Sequence, residues 1–79
     1  MKVQERPKVI DYLKKRHLEK TYLKAKTFLE NDQLKMVNFK IRQPKSEGIY
    51  YFRITKKYRA IGHFIEDVFV VASISDHQE

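Results

Sequence analysis

Residues 49–65 read Ile-Tyr-Tyr-Phe-Arg-Ile-Thr-Lys-Lys-Tyr-Arg-Ala-Ile-Gly-His-Phe-Ile, and this stretch decides the fold. Aromatic and β-branched residues, which are typical of strands, fill both of its halves. The one polar break covers residues 55–58, where a turn would reverse the chain. The stretch is therefore predicted to form a β-hairpin.

The length of the turn decides which side chains of the hairpin share a face. A three-residue loop would pair Thr55 with Arg59, and side chains alternate between faces along a strand. One face would then carry Tyr51, Arg53, Arg59, Ile61 and His63, and the other Phe52, Ile54, Ala60, Gly62 and Phe64. A two-residue loop would separate the two arginines. The three-residue loop is favoured because it gathers the cations opposite an apolar face.

Apolar residues at helical spacing predict two helices before the hairpin. Pro7 suits a first helical turn, and one apolar stripe runs from Val9 to Leu13. A second stripe begins at Leu18, and the step from Leu13 does not continue one straight helix face. Two short helices, roughly at residues 6–16 and 19–30, are expected.

The remaining strands are predicted from alternation. Residues 37–41 alternate apolar and polar side chains, which indicates a half-buried strand, and residues 43–48 form a loop. After a turn at residues 66–67, two sets of side chains alternate along the last strand. The first set is Val68, Val70, Ala72 and Ile74, and the second is Phe69, Val71, Ser73, Ser75 and His77. Residues 1–4 are too short to predict more than a stub.

The fold class expected is α+β, with two N-terminal helices packed on one face of a four-stranded antiparallel sheet. Residues 1–79 would form a single domain, since the chain contains no linker or repeat. The helices would cover Phe52, Ile54, Phe64, Val70 and Ile74. The opposite side of the sheet, called the open face below, would remain uncovered.

Composition narrows the class of protein. Hydrophobic residues make up 42% of the chain, which supports a real core, and the absence of cysteine excludes a disulfide scaffold. No apolar run approaches the roughly 20 residues that span a bilayer. A cytoplasmic protein without a membrane partner is expected.

The net charge of +7 is unevenly distributed. Residues 1–30 carry nine Lys or Arg against four acids, and residues 31–65 carry eight against two. Residues 66–79 carry four acids and no Lys or Arg. Such a field attracts nucleic acid, the ribosome or an acidic protein segment. The alternative explanation for the positive charge is that the lysines only keep a small domain in solution.

The open face collects basic and aromatic side chains that suit RNA. Arginine forks match phosphate oxygens, and an aromatic ring can stack on a base. The candidate RNA-binding residues are Lys40, Arg42, Tyr51, Lys56, Lys57 and His63, beside Arg53, Arg59 and His77. A sheet also needs one polar face for structural reasons alone. The composition of the open face therefore does not decide between RNA binding and simple exposure to solvent. The histidines lack the spacing of zinc ligands, and no cofactor motif is present.

The order of the elements and the amino-acid sequence of the hairpin resemble those of the RelE/ParE superfamily of toxins from bacterial type II toxin-antitoxin modules. The resemblance covers nearly the whole chain. It is carried by residues 51–54 (Tyr-Phe-Arg-Ile), residues 58–61 (Tyr-Arg-Ala-Ile), the acidic turn at 66–67 and residues 74–77 (Ile-Ser-Asp-His). Tyr51 stands where a lysine is usual. Only Gln78 and Glu79 follow His77, whereas many RelE-branch toxins continue into a basic tail.

The resemblance implies a function and a set of roles. RelE-branch toxins cleave mRNA in the ribosomal A site without metal, while ParE-branch toxins poison DNA gyrase, and an acidic antitoxin inhibits both. Arg53 and Arg59 match cationic hairpin positions, and His77 matches the His or Arg that ends the last strand. A metal-independent, ribosome-dependent mRNA endoribonuclease is expected, with these three residues as the catalytic set. The alternatives are a gyrase inhibitor and a non-catalytic protein that binds nucleic acid or antitoxin.

Overall fold

Five strands form one mixed sheet, and two helices cover one of its faces, in the computed structural model, which describes residues 1–76. The elements are β1 (Lys2–Glu5), α1 (Pro7–Lys15), α2 (Glu19–Glu30), β2 (Lys40–Ile41), β3 (Ile49–Arg53), β4 (Tyr58–Ile65) and β5 (Val68–Asp76), with 3₁₀ helices at Leu34–Val37 and Lys45–Glu47. The strand order is β1-β5-β4-β3-β2. An α+β domain with two N-terminal helices is confirmed.

The two helices lie where the apolar stripes predicted them, and each stops without glycine or proline. His17 follows α1 in the left-handed region at φ 56°, and Asp32 follows α2 at φ 59°. The Leu18 N–H donates to the Leu13 carbonyl at 2.9 Å, and the His17 N–H donates to the Lys14 carbonyl at 3.2 Å. These paired bonds form a Schellman cap, which satisfies the last carbonyls of α1 and redirects the chain into α2.

The prediction of a four-stranded antiparallel sheet is wrong, because residues 2–5 form a fifth strand. β1 pairs in parallel with β5, with Val3 opposite Phe69, while all other neighbours in the sheet are antiparallel. Val3 is buried, and the Arg6 N–H extends the ladder by donating to the Val71 carbonyl at 3.1 Å. Four residues are too few to show a clear periodicity, and the partner strand lies more than sixty residues later in the chain. The sequence pattern therefore did not predict this strand.

The strand predicted at residues 37–41 is also shorter than expected. Residues 34–37 form a 3₁₀ helix, and Asn38 follows it in the left-handed region at φ 51°. Only Lys40 and Ile41 pair with β3. Val37 is nevertheless buried, so the apolar alternation reflects burial without a strand ladder.

The hairpin forms with both arginines on one face, but its register differs from the prediction. Arg53 pairs with Arg59 and Phe52 with Ala60, so Thr55 does not pair with Arg59. The loop lies one residue earlier in the chain, because the Thr55 side-chain oxygen accepts hydrogen bonds at 3.1 Å from the N–H groups of Lys57 and Tyr58. The register moves by two residues, which leaves every side chain on its predicted face.

A β-bulge in β5 changes which residues of that strand reach the core. Ile61 pairs with Ser73 and Gly62 with Val71, so Ala72 is an extra residue between them. The alternation therefore reverses at Ala72. The prediction that Val70 lies beneath the helices is wrong for this reason, and Phe69 and Val71 take its place with no exposed surface.

The core lies between the helices and the sheet. α1 packs on β5. α2 packs on β1 and on the 3₁₀ helix Leu34–Val37. The largest side chains with no exposure are Phe52, Phe69 and Leu29, and Ile54 is buried as predicted. Phe64 is on the helix side of the sheet but is 38% exposed, and it packs against the rings of Phe39, Tyr50 and Phe69. Neither α1 nor α2 is long and apolar enough to cross a membrane, and residues 1–76 contain no other α-helix.

Candidate nucleic-acid interface

Arg53 and Arg59 are directly opposite each other across the antiparallel pair β3 and β4. Directly opposed side chains have their Cβ atoms about 5 Å apart, and like charges on directly opposed residues destabilise a sheet. Arg53 is exposed and Arg59 is half-buried. The ion pairs formed within residues 1–76 include neither arginine, so the described part of the chain supplies no counter-ion to them.

The two arginines belong to a hollow on the open face, called the basic hollow below. It has a volume of about 170 Å³ and is lined by Asn38, Lys40, Tyr51, Arg53 and Arg59. Three of the five lining residues are cationic, and none is acidic. A hollow of this chemistry attracts an anion with several acceptor oxygens, such as a phosphate group.

Tyr51 connects the cations of the hollow. It pairs with Lys40 on β2 and with Ile61 on β4, and the Arg59 guanidinium carbon lies 5.1 Å from the centre of its ring. This is a cation-π contact, which orients the guanidinium without neutralising it. Tyr51 therefore orients Arg59, and Tyr51 itself is half-buried.

The last strand adds small side chains beside the arginines. Ser75 pairs with Arg59, and Ser73 pairs with Ile61, on the open face as predicted. Both serines are half-buried. Small side chains at these positions leave room for a ligand to approach the two arginines.

Two of the predicted RNA-binding residues lie away from the hollow. His63 is on the open face but four residues along β4 from Arg59, which corresponds to about 13 Å. Arg42 follows β2 near Ile49, at the same distant end, and its guanidinium lies 4.0 Å from the Glu47 carboxylate. The structure does not bring either residue to the arginine pair.

The two lysines of the hairpin loop have different surroundings. Lys56 is exposed at the tip of the loop. The Lys57 ammonium lies 3.7 Å from the Asp76 carboxylate and 5.3 Å from the centre of the Tyr58 ring. Lys57 is thus partly neutralised and directed toward Tyr58, and neither lysine lines the basic hollow.

His77, the predicted proton donor, lies outside the described residues. Its neighbour Asp76 ends β5 opposite Tyr58. The role of His77 stays a prediction from the sequence. Residues 1–76 contain no group of three or more His, Asp or Glu side chains that could hold a metal ion.

Asn38 is the lining residue that the sequence analysis missed. The sequence assigned residues 37–41 to one strand, which made Asn38 an ordinary outward residue. Its left-handed backbone instead brings it to the hollow beside Lys40. Asn is among the few residues that adopt this conformation readily, and this was the available signal.

Comparisons with known proteins leave the family open. The sequence matches no protein-family model and has no significant match among curated proteins. The geometry of the open face is therefore the main basis for any functional assignment.

Proposed function

We propose that this protein binds RNA through the basic hollow and acts as a RelE/ParE-type toxin that cleaves mRNA on the ribosome. The observation that carries the proposal is the pairing of Arg53 with Arg59 on an uncovered sheet face. Two opposed cations without a counter-ion cost stability in the free protein. A bound phosphodiester would convert that repulsion into two charge-assisted hydrogen bonds.

The cleavage step proposed follows from the chemistry of RNA. The 2′-oxygen attacks the adjacent phosphorus as its proton passes to water, and the bond from phosphorus to the 5′-oxygen breaks. The products are a 2′,3′-cyclic phosphate and a 5′-hydroxyl. Arg53 and Arg59 stabilise the added negative charge on the phosphoryl oxygens, and His77 supplies the proton to the departing 5′-oxygen.

The ribosome has a physical role in this proposal. The basic hollow is small, with a volume of about 170 Å³. Much of an enzyme's rate enhancement comes from holding the reacting atoms in line. A hollow lined by five residues can hold a phosphate, but it does not surround the neighbouring nucleotides. The ribosomal A site would position the mRNA, so free RNA is expected to be cleaved poorly.

An acidic antitoxin is the partner proposed for the inactive state, and the cytoplasm is the compartment proposed. The chain carries a net charge of +7, and an acidic segment would neutralise part of it. Binding to the folded state would also raise the melting temperature by mass action. An unchanged melting temperature with a saturating amount of the neighbouring gene's product would argue against this partner.

The deciding experiment measures mRNA cleavage in a translating extract. Arg53→Ala and Arg59→Ala should each lower cleavage and ribosome binding, because each removes a phosphate contact. His77→Ala should lower cleavage by about 10²- to 10⁴-fold while leaving binding nearly unchanged. Lys15→Ala removes one positive charge from the end of α1, on the helix side, and serves as the control.

Gyrase supercoiling is measured in parallel with the same variants. Intact mRNA together with inhibited supercoiling would replace the ribonuclease assignment with the gyrase alternative. Normal growth on induction, with neither activity, would favour a binding protein without catalysis.

A further inference from the structure

Asn38 is held in a fixed position at the rim of the basic hollow. It ends the 3₁₀ helix 34–37 with φ 51° and ψ 46°. Its own N–H donates to the Lys35 carbonyl at 3.4 Å, and the next N–H, from Phe39, donates to the Leu34 carbonyl at 3.1 Å. These bonds set the backbone of Asn38 and therefore the direction in which its side chain leaves the chain.

The chemistry of Asn38 differs from that of the rest of the hollow. The ammonium of Lys40 and the guanidinium groups of Arg53 and Arg59 can only donate hydrogen bonds, whereas the Asn38 amide both donates and accepts. The side-chain hydrogen bonds within residues 1–76 do not involve this amide. A phosphate oxygen only accepts, so it can bind the Asn38 NH₂ group but not the Asn38 side-chain oxygen, which stays available to a donor elsewhere on the ligand.

We propose that Asn38 is a specificity-determining residue, whose amide binds a hydrogen-bond donor of the nucleotide next to the phosphate held by Arg53 and Arg59. This inference rests on the proposed function, because it presupposes a nucleic-acid ligand. The donor is a base edge, as in the paired contact between an Asn amide and adenine, or the 2′-hydroxyl of the ribose. The cations would then supply affinity, and Asn38 would distinguish one nucleotide from another.

The structural reason for an asparagine at this position can be separated from a binding role. Asn38 has a left-handed backbone, which glycine adopts with less strain. Asn38→Gly therefore keeps the backbone and removes only the amide. Asn31→Gly is the matched control, because the Asn31 amide bonds to the Thr27 carbonyl on α2, away from the hollow.

The test is fluorescence-anisotropy titration of labelled eight-nucleotide strands of oligo(A), oligo(C), oligo(U) and oligo(dA). Wild type and Asn31→Gly should prefer one base or prefer RNA over DNA, by about 5- to 100-fold. Asn38→Gly should bind all strands with similar, lower affinity, while its salt dependence stays unchanged because no phosphate contact is lost. Asn38→Asp should weaken binding of every strand, since it brings a negative charge to the phosphate.

The outcomes separate this inference from the function on which it rests. A base preference lost in Asn38→Gly identifies a base edge as the donor, and a lost preference for RNA identifies the 2′-hydroxyl. If wild type shows no preference, or if Asn38→Gly retains it, the role of Asn38 is wrong while RNA binding stands. If Arg53→Ala and Arg59→Ala bind all strands as wild type does, the proposed RNA site itself is wrong.

Discussion

The hydroxyl of Tyr22 on α2 donates a 2.7 Å hydrogen bond to the carboxylate of Glu5 on β1. The Lys26 ammonium lies 2.8 Å from the same carboxylate oxygen. Burial, the hydrogen bond to Glu5 and the charge of Glu5 raise the pKa of Tyr22 above its ordinary value. This group joins the edge strand to the helix layer, and it makes part of the stability depend on a protonated tyrosine.

Stability should therefore fall at alkaline pH. The pKa of Tyr22 is raised in the folded state, so its contribution is complete below the unfolded value of about 10 and is lost as the pH rises above it. Tyr22→Phe should lower the free energy of unfolding by about 1 to 2 kcal/mol at pH 8. The difference between wild type and Tyr22→Phe should shrink at pH 11 in urea unfolding. A difference that is constant from pH 8 to pH 11 would contradict the proposed linkage.

The opposed arginines should stabilise the free protein less than neutral residues would. Arg53→Thr relieves the repulsion with Arg59 and places a β-branched residue in a strand, so the free energy of unfolding should rise by about 0.2 to 1 kcal/mol. Binding of polyanions should fall in the same variant. Thermal unfolding with and without added phosphate measures both effects, and phosphate should stabilise wild type more than the variant. A variant less stable than wild type in phosphate-free buffer would contradict the repulsion.

Gly62 should tolerate no side chain. A Cβ atom at Gly62 would overlap the Val70 carbonyl and lie 3.0 Å from the Phe69 ring, because the bulge brings β5 close to β4. Gly62→Ala should cost about 3 kcal/mol or more and give little folded protein, since backbone must move. Gly48→Ala is the control, with no atom within 4 Å of the added Cβ and only its φ of 64° to strain it. Urea unfolding followed by circular dichroism should show that the control loses about 1 to 2 kcal/mol of its free energy of unfolding.

His17→Gly should stabilise the domain. The Schellman cap requires a left-handed residue, and glycine adopts that conformation without the steric cost that His17 bears. A gain of up to about 1 kcal/mol would raise the melting temperature by about 4 to 8 °C for a domain of this size. Lys24→Gly, within α2 and exposed, should instead cost about 1 kcal/mol. Equal losses in both variants would exclude a strained cap at His17.

Local patterns were sufficient to predict the helices, the hairpin and the shared face of Arg53 and Arg59. Each depends on periodicity over eight or more residues, which one segment of sequence can show. The fifth strand was missed because the pairing of Val3 with Phe69 has no local signal. The cations of the basic hollow were predicted. Asn38 was not, because residues 37–41 were assigned to one strand, whereas Asn38 follows a 3₁₀ helix in the left-handed region.

The bulge shows why alternation alone fails in β5. Ser73 and Ser75 lie on the face that simple alternation predicts, whereas Val70 and Val71 have exchanged sides across Ala72. A single extra residue inverts every assignment on one side of it. The apolar character of residues 68–71 on both faces conceals the inversion, because no polar residue marks the outer side.

The parallel pairing of β1 with β5 also governs when the domain can be completed during synthesis. β1 is translated before the other strands of the sheet but stays an unpaired edge until residues 68–71 have been made. The helices and the hairpin can form locally from the nascent chain, whereas closing the sheet requires a contact across nearly the whole chain. Completion of the fold is thus a late event, and a ribosome that stops before β5 leaves a chain without its final sheet.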